Sequence, residues 1–189
     1  MSNPDERTAV EQFGKGDKYF GVATVLATLP GLPMLGHGQV QGFGEKYGME
    51  FRRAMLDETT DPWPLERPER AISPLFHRRA WFAGSDDFLL YDVIADGGGV
   101  DEGVLAYSNG RGPERSIVVY QTRFGSTRGR IRESVAFARK TASGSRRLVR
   151  RSLAEGLGLP RDPATFVTFR EARSGLEHVP ALHRHLHGH

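Results

Sequence analysis

The sequence predicts a chain in two parts: a first half of α/β character, then an all-β half built as an antiparallel Greek-key sandwich. Three observations carry this reading. The hydrophobic period changes from helical to alternating near Gly84-Ser85. After that point several short alternating runs are separated by turn-rich segments. Before it stand one very apolar helix, one buried-type strand and one amphipathic helix, with no sheet for them to pack on. A lone buried-type strand leaves backbone groups unpaired on both edges, so the first half reads as part of a larger α/β domain. The expected organisation is 1–84, 85–180 and a His-rich flexible tail over 181–189.

Taken in order, Asp17 is expected to cap a helix through "KYFGVATVLATL". In it Tyr19, Phe20, Val22, Ala23, Val25, Leu26 and Leu29 cover most of the circumference, as in a helix buried on several sides. Pro30 ends it, and "LPMLG" follows as a short apolar run of the buried-strand type. Gly36 to Pro68 shows no sustained period, and a connection that long is usually functional. "AISPLFHRRAWFAG" offers Ser73 as cap, Pro74 at the first helical position and Gly84 as stop.

In the second half "DFLLYDVIA", "GVLAYSN", "RSIVVYQT" and "ESVAFARK" read as strands, with "DGGGVDE", "GRGPE" and "RFGSTRGRI" between them. "SRRLVRRSLAEGLGL" reads as a strand and a short helix, and "ATFVTFREA" and "GLEHV" close the set. The Gly-rich "DGGGVDEG" lacks both the Lys-Ser/Thr ending and the following helix of a phosphate loop, so a hairpin turn is expected.

Composition narrows the function classes. The 189 residues are 38% hydrophobic and 26% charged, the balance of an ordinary globular chain. With no cysteine, disulfides, thiolate metal sites and cysteine nucleophiles are excluded. The longest apolar stretch, Tyr19 to Leu32, is too short and too mixed to span a bilayer, so no membrane partner is expected. The start has no signal-peptide pattern, which makes a cytoplasmic location the expectation.

Charge is divided unevenly. Residues 1–100 carry 10 Lys/Arg against 15 Asp/Glu, and residues 101–189 carry 16 against 8. The dense basic cluster is Arg146, Arg147, Arg150 and Arg151 with Lys140 nearby, and no aromatic stacking platform is interleaved with it. On that ground no nucleic-acid partner is expected. In the tail, His183, His185, His187 and His189 alternate and face one side of an extended chain. Adventitious metal affinity of a loose terminus accounts for them, and no metal site is assigned.

The ordered set of Asn-Pro-Asp, apolar helix, Pro-Gly-Leu-Pro strand, Gly-His-Gly-Gln turn, long loop, helix and antiparallel sheet resembles one family. It is similar to the C-terminal portion of the α-amylase superfamily, glycoside hydrolase family 13. "ATLPGLPMLGHGQVQGFGEKYGMEFRRA" looks especially like a subgroup of bacterial amylase-like proteins, and "YDVIADGGGVDEGVLAYSNGRGPERSIVVYQT" like their domain C. The likeness runs from about Ser2 to about Val179. It implies the C-terminal end of a (β/α)8 TIM barrel followed by an antiparallel Greek-key β-sandwich.

The resemblance also implies roles. Asp5 matches the carboxylate that binds the sugar and supports the transition state in retaining cleavage of α-glucosidic bonds, where positive charge builds on the ring. Taken alone, Asp5 reads as a solvated terminal residue. Asn3, His37 and Gln39 are candidate substrate contacts at the rim; a hydrogen-bonded loop histidine is the alternative for His37.

The sequence departs from the family at Pro4, where most members carry His, and at Val40, which replaces a carboxylate. No segment matches the family's nucleophile or general acid, so the chain is expected to be inactive in isolation. No cofactor is implied; calcium is common in the family, but no cluster of oxygen ligands marks a site here. The expected partners are an α-glucan or oligosaccharide substrate, with self-association through the exposed barrel fragment. The alternative is a non-catalytic β-sandwich module that binds glycan or a partner protein.

Overall fold

The computed structural model describes residues 2, 3, 5–46, 53–59, 72–160, 166–172 and 174–179. The His-rich tail and much of the long connection before Pro68 lie outside the described residues. Contacts divide the chain into two compact units, Met1–Ala83 and Gly84–His189.

The first unit is helical. Helix α1 spans Ala9–Phe13, capped by the Thr8 hydroxyl, which accepts from the Glu11 N–H. Helix α2 spans Asp17–Thr28, and Tyr19, Phe20, Ala23, Ala27 and Thr28 are its buried positions. The expected cap moves by one residue. Gly16 occupies the cap without a side-chain bond, and Asp17 is the first helical residue, where its charge suits the positive helix end. Ala9, Tyr19, Phe20, Ala23 and Ile72 form the core, with Val10, Phe13 and Phe76 packed against it.

Two expectations fail in this unit. "LPMLG" forms no strand: Leu32 is 95% exposed, and Met34 and Leu35 are exposed too. No described segment pairs with it as a strand; at its end the Gly36 N–H and carbonyl are bonded within the Gly36–Gln39 turn instead. The helix expected from Ser73 to Phe82 breaks in two, α3 at Ser73–His77 and α4 at Arg79–Phe82, and Ile72 rather than Ser73 precedes it. At the break the Arg79 guanidinium is turned onto the C-terminal end of α2. It donates to the Ala27 carbonyl (3.1 Å), the Leu29 carbonyl (2.5 Å) and the Gly31 carbonyl. The Ala27 and Leu29 carbonyls belong to the last turn and cap of α2, where a helix leaves carbonyls without intrahelical partners, and Gly31 follows them.

The second unit is built on a four-stranded antiparallel sheet. Its strands are β1 (Leu89–Ala95), β2 (Val104–Arg111), β3 (Glu114–Gln121) and β4 (Gly129–Ser134). Their order across the sheet is β3-β2-β1-β4: three hairpin-connected strands with the fourth returning beside the first, a Greek key. The β1–β2 connection is the Gly-rich turn, where Gly98 and Gly99 take φ of 84° and 82°. Asp101 closes it, accepting from the Thr127 hydroxyl and the Gly103 N–H, and these bonds lower its pKa.

The expected strand "ESVAFARK" is corrected as well. Glu133 and Ser134 end β4, and a new strand β5 (Phe137–Lys140) pairs with β6 (Arg146–Val149). The polar run before them, expected as a connection, is the body of β4. Its pairing with β1 is a tertiary fact that an Arg- and Gly-rich string does not advertise. A bulge between Tyr91 and Val93 in this pairing places one extra residue on β4.

Short helix α5 (Leu153–Gly156) carries a capping box between Ser152 and Glu155. It lays Leu153 and Leu157 on Leu89, Tyr91, Val93 and Ala106 of the sheet, with Phe137 and Phe169 beside them. Two residues each of β7 (Phe169–Arg170) and β8 (Glu177–His178) complete the unit. The fold is thus mixed and mostly antiparallel. Among the described residues, α5 packs on this sheet and the two short ribbons touch its core through Phe137 and Phe169.

Candidate functional site

The candidate residues lie in the first unit, and the chain brings three of its segments together around Gln39. The Gly36–Gln39 turn buries the Gln39 side chain, and the Gln39 amide oxygen accepts from the Ser2 N–H (2.9 Å) and the Gly36 N–H (3.2 Å). From α2, the Tyr19 hydroxyl donates to the Gln39 backbone carbonyl. The Ser2 hydroxyl in turn accepts from the Ala9 N–H at the start of α1 (2.8 Å). Gly36 is required here: a Cβ on it would stand 2.5 Å from the Cβ of Ser2.

Asn3 and Asp5 form the next layer outward. The Asn3 side-chain oxygen accepts from the Asp5 N–H (3.0 Å) and the Glu6 N–H (2.7 Å), the bonding of an Asx turn. That turn leaves Asp5 and Glu6 exposed, with Asn3 half-buried at their base. His37 is exposed at the tip of the other turn.

The four candidates therefore divide. Asn3 and Gln39 make the hydrogen bonds that shape the site, and Asp5 and His37 are set on its outside. Tyr19 and Ser2 belong to the arrangement and had no signal in the sequence. Tyr19 reads there as one more apolar position of α2, and Ser2 as a terminal residue. Burial pushes the Tyr19 phenol up to about 12 from its ordinary 10.0, so it keeps its proton into the alkaline range.

Beside this cluster is a cavity of about 190 Å³, lined by Leu35, Val40, Ile72 and Phe76 with Tyr19 and Gln39. Its walls are mostly apolar, and it is smaller than the usual pocket for a drug-sized ligand. The Gln39 amide oxygen is taken by backbone donors, so the cavity suits a small apolar group better than a sugar ring. Among the described residues, no group of three or more His, Asp or Glu side chains could hold a metal ion. No described helix is long and apolar enough to cross a membrane. Comparison with protein-family models, curated proteins and solved structures finds no match.

Proposed function

We propose that the chain is the C-terminal portion of an amylase-like glycoside hydrolase that acts on α-glucosidic bonds by a retaining mechanism. It would comprise the last units of a (β/α)8 barrel and the antiparallel domain C. The observation that carries this reading is the Gln39 clamp. It ties the segment beginning Ser2-Asn3 to the Gly36–Gln39 turn, and the resemblance assigns these segments to the mouths of neighbouring barrel strands. Active sites of such barrels are built on that end. The Greek-key order of the second unit is compatible with domain C.

In this reading Asp5, held on the exposed side of the Asn3 turn, opposes the positive charge that develops on the sugar ring. His37 contacts substrate from the facing turn. Asn3 and Gln39 act chiefly by holding those two turns in place. Retaining cleavage also needs a nucleophile and a general acid about 5–5.5 Å apart, and no segment of this chain matches either motif. The exposed "LPMLG" run fits a barrel strand without its neighbours.

The purified chain is expected to bind maltoheptaose without cleaving maltodextrins. Backbone NMR should show shifts at Asn3, Asp5, Glu6 and His37, and a reducing-sugar assay should show no product. No shift at about 10 mM ligand, where a site worth roughly −2.7 kcal/mol would be half filled, would count against the substrate site. Turnover that is abolished by Asp5→Asn would overturn the inventory of missing carboxylates. A second reading, a non-catalytic β module with residues 1–84 as an oligomerisation arm, is favoured by the exposed Leu32, Met34, Met55 and Leu56.

A further inference from the structure

The β5–β6 ribbon carries a charge arrangement that the fold itself does not use. Its register sets Arg139 opposite Arg147 and Lys140 opposite Arg146. Residues directly across an antiparallel pair have Cβ atoms about 5 Å apart, and like charges there are destabilising. All four side chains are exposed, and no carboxylate pairs with them among the described residues. No acidic residue occurs between Glu133 and Glu155, a stretch with six Lys and Arg. Two of the six have partners in the fold: Arg150 pairs with Glu133 at 3.2 Å, and Arg151 stacks over the Phe137 ring. The other four lie toward the tip.

The ribbon projects from its base. Phe137 packs against the core, whereas Ala138, Arg139, Lys140, Arg146, Arg147 and Leu148 are exposed, Leu148 by 71%. Because side chains alternate along a strand and directly opposed residues share a face, Arg139 and Arg147 stand on one face and Lys140 and Arg146 on the other. The turn between them is small and polar. The hydroxyls of Thr141, Ser143 and Ser145 lie 2.7–3.1 Å from one another, and Gly144 takes a φ of 81°.

We propose that this ribbon is a nucleic-acid arm that enters a groove of a duplex tip first. A groove has a phosphate wall on either side, and the B-DNA major groove, about 12 Å wide, admits a two-stranded ribbon. Cations on both faces meet both walls, while the hydroxyl tip faces the base edges. A flat acidic protein surface meets one face only and leaves the other cation pair unmatched, and a single strand reaches both faces only by wrapping the hairpin without the preset walls of a groove. The absence of an aromatic platform bears on single-strand binding; a groove contact with phosphates needs none.

The test is the anisotropy of a fluorescent DNA duplex of about 20 bp titrated with the full chain at increasing salt. Four phosphate contacts predict a log–log salt slope of about −3.6, hence a loss on the order of 10²-fold in affinity between 50 and 200 mM salt. Replacing Arg139, Lys140, Arg146 and Arg147 with Gln should remove most of the binding and flatten the slope. The same variant should melt no lower than the parent, because facing like charges are relieved. Replacing Arg123 and Arg128 with Gln should leave the slope unchanged. Three results would each overturn the proposal: no binding at 50 mM salt, an unchanged slope in the ribbon variant, or a single strand of the same sequence bound as tightly. A fourth result, polyaspartate of matched charge bound more tightly than the duplex at the same salt, would assign the ribbon to an acidic protein instead and would overturn it equally.

Discussion

At the scale of single residues, Tyr19 and Gln39 show how a polar pair organises the first unit. The phenol is buried on α2 and donates to the Gln39 carbonyl, while the Gln39 side chain takes two backbone donors. An unfolded tyrosine ionises near pH 10, whereas burial holds Tyr19 protonated to about 12 in the folded chain. Between those values the folded state binds one proton more than the unfolded state. The contribution is therefore complete below pH 10 and is lost as pH rises toward 12, at about 1.4 kcal/mol per pH unit. Urea midpoints at increasing alkaline pH should fall more steeply for the parent chain than for Tyr19→Phe. At neutral pH the variant should be less stable by about 1 kcal/mol, the worth of the lost hydrogen bond. Parallel alkaline slopes would show that Tyr19 titrates like a solvated phenol. Sequence alone offered the candidates Asn3, Asp5, His37 and Gln39, and it was blind to Tyr19. A helical period reports which face is buried and says nothing of what a hydroxyl on that face can reach.

At the scale of elements, α5 is the clearest case of close packing. Gly156 lies against β1 so tightly that an added Cβ would stand 2.0 Å from the Tyr91 hydroxyl and 2.9 Å from a Leu89 methyl. In an open helix Gly→Ala stabilises by about 0.4–1 kcal/mol. Here overpacking decides the sign, and Gly156→Ala is expected to cost about 1–3 kcal/mol. Thermal unfolding of the variant measures this directly; a higher melting temperature would mean that α5 does not rest on Tyr91. A short helix is read in "SLAEGLGL", and the structure shows the capping box of Ser152 and Glu155 that starts it. The strand β4 was not readable, because Arg130, Arg132 and Glu133 leave it few apolar positions, and it is held by pairing with β1 and by the Glu133–Ser152 bridge. "LPMLG" failed for the opposite reason: its composition suits a buried strand, but a strand exists only where a neighbour accepts its hydrogen bonds.

For the molecule as a whole, the exposed apolar side chains of the first unit set an expectation about association. Leu32, Met55 and Leu56 are 95%, 77% and 57% exposed. A stable interface buries roughly 1,200–2,000 Å² in total, more than scattered side chains supply, so any self-association should be weak and concentration-dependent. Sedimentation velocity should show the average mass rising with concentration, and Leu32→Asp with Met55→Asp should suppress the rise. A constant mass in the parent chain would remove the support for an oligomerisation arm.

What the sequence determined by itself was local: the apolar helix α2 and its end at Pro30, the Gly-rich hairpin, the strands β1 to β3, and the change of period at Gly84-Ser85, where the contacts also divide. These depend on side-chain periodicity and turn chemistry, which neighbouring residues encode. Tertiary structure alone decided the Greek-key place of β4, the Arg79 cap on α2, the clamp of Ser2 on Gln39 and the facing cations of the β5–β6 ribbon. Each of these joins groups distant in the chain or fixes a register, and a hydrogen bond or a charge pair has no meaning until both partners are in place.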